Sequence, residues 1–278
     1  MSFIKLGLTE MKKLFQQPEI YIALFLCTVY YYLGLRDTGD SFNPTSGLWR
    51  AMLDAVPWFG FWMIAVLVVI GSAKCLPIER EQEMNELLLT YKKGQVQLLM
   101  VKQAVMFIYC AIIVSYFYLV SFFTLVSKYS ISGAFNQIKV NPPVYFINAN
   151  PDWTFAQLLL FQFGYMVLAS YIFSLCILAL SFFIKRSVFI MMIAGSVFAL
   201  EELYDKYLCY YTGSMKLDVY LRNIYDYGFN GMLGHQYLEG LSPFSEGEIY
   251  ILFMVFALLL FAFNLAIGRW RRYASVGN

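Results

Sequence analysis

Apolar residues in this chain gather into long, nearly charge-free runs instead of alternating with polar ones. Four of them, about 57–76, 104–126, 155–184 and 248–267, reach the roughly 20 residues a helix needs to cross about 30 Å of hydrocarbon at 1.5 Å per residue. Two more runs are weaker. Residues 20–35 lie at the short end, and the run from Val188 stops at Leu200, before Glu201 and Glu202. A fifth crossing therefore has to continue to about residue 204, or stop short and leave the outer leaflet to Tyr204, Tyr207, Tyr210 and Tyr211. The pattern predicts six membrane-spanning helices. The longest polar interval, about 203–247, is too short for an independent soluble core, so residues 1–278 read as one domain.

Ahead of the first span, residues 2–17 follow a helical period instead. On a wheel of 100° per residue, Phe3, Ile4, Leu8, Met11, Leu14 and Phe15 occupy a sector of about 140°. Lys5, Thr9, Glu10, Lys12, Lys13, Gln16 and Gln17 fill the rest, and only Leu6 is misplaced. This predicts an interfacial helix lying along the inner leaflet, ended by Pro18 where the chain turns into the bilayer.

Composition agrees with a membrane protein. Only 14% of residues are charged, against about 25% in soluble domains, and mean hydropathy is +0.61. A net charge of +2, with its basic clusters flanking apolar runs, excludes nucleic acid as the expected partner. Six spans with both termini inside place thirteen Lys and Arg on the cytoplasmic side and seven outside, the latter being Arg36, Arg50, Lys128, Lys139, Lys206, Lys216 and Arg222. That excess predicts a multi-pass plasma-membrane protein with cytoplasmic termini. The 20–35 run lacks a small-x-small cleavage site, so no cleavable signal peptide is expected.

The most informative polar stretch is 79–103, EREQEMNELLLTYKKGQVQLLMVKQ, between the second and third runs. Glu79, Glu83 and Glu86 share one helical face while Met84, Leu87 and Leu88 occupy another. Acidic residues lead and Lys92 and Lys93 follow, as a helix dipole favours; Gly94 then allows a turn. By spacing alone this is either a partner-binding cytoplasmic helix or a solvated amphipathic loop.

Glu79, Arg80, Glu81, Glu86, Leu88, Leu89, Thr90 and Lys102 match the pattern that follows the second span in permease subunits of type-2 ATP-binding-cassette transporters, and the chain resembles that family. Departures are Glu83 and Met84 in place of Gly-Thr, and Tyr91 in place of Pro. The resemblance implies a coupling helix around Glu81 to Lys93 seated in a separate ATPase subunit, with Glu79, Arg80, Glu83, Glu86, Leu88, Leu89, Thr90 and Lys92 at the contact. It also implies a dimeric ATPase, a second permease copy or a related one, and a short helical outer segment between spans five and six. The chain has no GxxxxGK[ST] pattern, so ATP and Mg are expected in the partner and no cofactor in this chain. The implied activity is export of an amphipathic peptide, lipid-like antibiotic or lipid from a bacterium that secretes or resists it, not enzymatic conversion.

Two readings of Glu201 and Glu202 stay open: they line the outer path or dimer seam, as intramembrane carboxylates tend to, or they sit hydrated at the outer interface. Glu201-Glu202 followed by Lys206 also resembles the Glu-Glu-x-x-x-Arg motif of CAAX-protease-like intramembrane proteases. That family needs two histidines, and His235 is the only one here. A non-transporting scaffold or sensor subunit is the other alternative. No CxxC or HxxxH spacing suggests a metal, and of the five cysteines only Cys209 is expected outside, so no outer disulfide is expected.

Overall fold

The structure, a computed structural model, describes residues 3–38, 47–56, 60–75, 94–138, 152–184, 186–203 and 246–276. Among them are eight helices: α1 (Phe3–Phe15), α2 (Pro18–Thr38), α3 (Leu48–Ala55), α4 (Phe61–Lys74), α5 (Gly94–Leu125), α6 (Phe155–Phe183), α7 (Ser187–Leu203) and α8 (Glu246–Val276). Every element among the described residues is a helix. Four segments, Pro18–Arg36, Val96–Leu125, Phe155–Phe183 and Tyr250–Arg269, are long and apolar enough to cross a membrane. Phe61–Lys74 and Ser187–Ser196 are apolar but shorter.

The central element is α6, which packs against α3, α4, α5, α7 and α8. Of its most apolar 18-residue stretch 67% is buried, against 22% in α2 and 17% in α8. The latter two are therefore rim helices, whose exposed Phe25, Leu26, Ile251 and Leu258 suit hydrocarbon. The start of α6 is fixed locally. Thr154 and Gln157 form a reciprocal capping box, with the Gln157 N–H donating to Thr154 Oγ1 and the Thr154 N–H to Gln157 Oε1, which satisfies two otherwise orphaned donors. Ile184 ends the helix in extended backbone. The 155–184 run thus reads almost unchanged as a helix.

Elsewhere the boundaries move. α5 begins at Gly94, ten residues before the apolar run at 104, and spans 32 residues; at 1.5 Å per residue that is about 48 Å. Gly94 is accordingly the first helical residue here. α4 covers 14 residues, about 21 Å, so the second run is shorter as a described helix than its sequence promised; residues 57–59 lie outside the described residues. α7 does continue through Glu201 and Glu202 to Leu203, which decides the backbone question the apolar pattern left open. α8 runs past residue 267 to Val276.

α3 went unpredicted because eight residues are far too few for a span. It is almost wholly buried between α5 and α6. Trp49 Nε1 donates to the Ile131 carbonyl at 2.8 Å, and Gln162 Nε2 to the Leu53 carbonyl at 2.9 Å. Asp54, 1% exposed, lies 3.8 Å from Arg50, one helical turn away, which offsets the cost of burying its charge.

Candidate functional site

Glu79, Arg80, Glu81, Glu83, Glu86, Leu88, Leu89, Thr90, Lys92 and Lys93 all fall in 76–93, outside the described residues. What the structure gives is the frame that holds this segment: Cys75 just past the end of α4, and Gly94 at the start of α5. The frame meets at Lys102, the last residue of the matched pattern.

Lys102 lies about two turns into α5, and its side chain is 2% exposed. Nζ is 3.0 Å from Glu10 Oε2 on α1 and donates to the Cys75 carbonyl at 2.6 Å. Glu10, 5% exposed, also accepts from Lys13 Nζ at 2.6 Å. One ammonium therefore joins α1, the end of α4 and the base of α5. The Cys75 carbonyl belongs to the last turn of a helix, where carbonyls lack intrahelical partners, and Lys102 satisfies it. Lys74 Nζ, 2.6 Å from Glu19 Oε1, adds a half-exposed link from α4 to the start of α2, worth little by itself.

The helix α1 reaches this junction by a face the wheel did not identify. Leu6, Glu10, Leu14 and Gln17 form a stripe at helical spacing; Glu10, Leu14 and Gln17 are buried and Leu6 is packed on the core. Ile4 and Leu8, at 73% and 67% exposure, point away from the bundle. Glu10 and Gln17 are thus corrected from the wet sector to the buried one, and Leu6, the outlier, is in register with them. The available signal was the helical register of Leu6 with Leu14 through Glu10, which marks a contact face beside the apolar sector. Pro18 begins α2 as expected; its missing N–H costs nothing at the first helical position.

Beside the ion pair is a cavity of about 20 Å³, lined in part by Lys102, Gln17, Val105 and Met106, large enough for about one water. Gln17 Oε1 faces burial without a partner among the described residues. Burial pushes the Glu10 carboxyl up, but attraction to Lys102 and hydrogen bonds from Lys13 and Lys102 outweigh it, so it lies below its ordinary value of 4.5. A depressed carboxyl stabilises above its unfolded value and loses that contribution as pH falls through the folded one. Hydrogen exchange across α1, corrected for intrinsic rates, should be constant from pH 7 to about 4.5 and accelerate below. Unchanged protection down to pH 3 would show that the Glu10 charge does not hold α1.

Glu201 and Glu202 sit in the last turn of α7. His235 lies outside the described residues. Tyr116, Phe117, Phe161 and Tyr165 pack edge-on or tilted against neighbouring rings or core side chains, as ordinary packing residues do. No protein-family model matches this sequence, and no curated protein matches it significantly.

Proposed function

We propose that this chain is the permease subunit of an ATP-driven exporter of the type-2 ATP-binding-cassette class, with six crossings and cytoplasmic termini in the plasma membrane. The observation that carries the reading is the junction at Lys102. A segment with the acidic pattern of a coupling helix, Glu79 to Lys93, is flanked by two helices that a buried ammonium clamps to each other and to α1. A push on such a segment moves α4, α5 and α1 together, because loosening any one leaves a charge or carbonyl buried without its partner.

In this mechanism a separate ATPase dimer binds ATP and Mg and closes. Its groove carries residues 79–93 with it, and the clamped base tilts the bundle from inward to outward access. Two permease copies, identical or related, enclose the path. Glu201 and Glu202 line its outer part or the seam, and the short outer segment after α7 gates it. Substrates are amphipathic: a peptide, a lipid-like antibiotic or a lipid.

Glu81→Lys with Glu86→Lys is expected to reduce co-purification of the ATPase at least tenfold, about 1.4 kcal/mol, while membrane insertion stays normal. Undiminished docking would remove these residues from the contact. Docking that survives while substrate never stimulates ATP hydrolysis in the reconstituted complex would replace transport by a scaffold role.

A further inference from the structure

At the end of the bundle opposite Lys102, two spans finish at one groove of about 430 Å³ between α2 and α5. The membrane-crossing windows end at Arg36 and Leu125, so the groove lies at a hydrocarbon boundary. Val120 and Phe123 form its apolar wall, and Tyr32 flanks it. Arg36 and Lys128 supply the charge, and Lys128 Nζ donates to the Arg36 carbonyl at 2.9 Å, which ties the Lys128 side chain to the end of α2. No acidic side chain lines the groove among the described residues.

The hydroxyls add a further preference. Thr124 Oγ1 donates to the Val120 carbonyl and Ser127 Oγ to the Thr124 carbonyl, both at 2.8 Å. Their protons are thereby committed to backbone, and what they turn to a ligand is lone pairs, which accept from a hydroxyl-bearing headgroup. An Arg guanidinium meanwhile matches phosphate oxygens in a two-pronged geometry that few other side chains offer. An apolar wall, cations at the hydrocarbon boundary and hydroxyl acceptors beside them describe one occupant, an amphiphile with an anionic, hydroxylated headgroup.

We propose that this groove between α2 and α5 is a specific site for an anionic glycerophospholipid, the phosphate held by Arg36 and Lys128, the headgroup hydroxyls by Thr124 and Ser127, and an acyl chain along Val120 and Phe123. The site is independent of any ATPase partner. Native mass spectrometry of the full-length protein, delipidated in mild detergent and given equal amounts of phosphatidylglycerol and phosphatidylcholine, tests it. The expected result is a single retained phosphatidylglycerol in roughly tenfold or greater preference. Arg36→Gln with Lys128→Gln abolishes that preference, Arg36→Lys with Lys128→Arg retains most of it, and excess inorganic phosphate does not displace the lipid. Equal retention of both lipids, a full preference in the double glutamine variant, or displacement by inorganic phosphate would overturn the proposal.

Discussion

Lys102→Met is expected to lower the stability of the folded protein by about 3 kcal/mol, as removal of one partner from a buried ion pair typically does. Two groups lose their contact with Lys102 at once. Glu10 keeps only Lys13, whose side chain is 38% exposed and whose charge is therefore partly screened, and the Cys75 carbonyl loses a 2.6 Å hydrogen bond. Glu10→Gln should cost less, because Lys102 retains the carbonyl and gains a neutral acceptor. Glu10→Leu combined with Lys102→Met should recover much of the loss, since both desolvation penalties disappear together. Unfolding in detergent, arranged as a double-mutant cycle, measures the coupling. A Lys102→Met protein within 0.5 kcal/mol of the parent would contradict a buried clamp at this position.

Gly71 carries the second large effect. A Cβ built there would stand 2.6 Å from Tyr109 Cε1 and 2.8 Å from its hydroxyl oxygen. A ring tip can often swing aside, but this one is held. Tyr109 is fully buried, its hydroxyl donates to the Leu67 carbonyl at 2.8 Å, and its ring lies 6.0 Å from that of Phe15 on α1. Gly71→Ala is therefore expected to cost about 1–3 kcal/mol by overpacking, and Gly71→Leu to prevent stable folding. Adding Tyr109→Leu should relieve the alanine variant. Gly195 is the control: beyond its own stretch of helix, its would-be Cβ meets no described atom within 4 Å, so Gly195→Ala should be neutral or stabilising by up to about 1 kcal/mol. Equal effects at both glycines, followed by thermal unfolding, would mean that the α4–α5 contact is loose.

How far the sequence could be read depended on whether each helix was defined by local or distant partners. Phe155–Phe183 was legible because its apolar run and its Thr154 and Gln157 cap are local. The start of α5 was not, because Gln95, Gln97, Lys102 and Gln103 break the apolar run that a span criterion looks for. Lys102 becomes tolerable inside the bundle through Glu10, far earlier in the chain, and the Cys75 carbonyl. The same pairing defeated the wheel for α1: a carboxylate counted as wet is wet only if no buried cation awaits it. α3 escaped because a length rule for crossings ignores short helices buried on their neighbours. Its Trp49 bonds to the distant Ile131 carbonyl, which no local pattern announces, while Arg50 pairs with Asp54 inside the helix. The charged stretch 79–93 is the reverse case, conspicuous as a sequence and outside the described residues as a structure, so its role stands on its pattern and on the clamp that flanks it.

That role is tested most directly by purifying the tagged full-length chain from its native membranes in mild detergent and identifying what comes with it by mass spectrometry. The permease reading predicts a soluble ATPase bearing a phosphate-binding loop, in fixed stoichiometry with the chain and lost when Glu81 and Glu86 are replaced by Lys. Reproducible recovery of the intact chain without any such ATPase would contradict it.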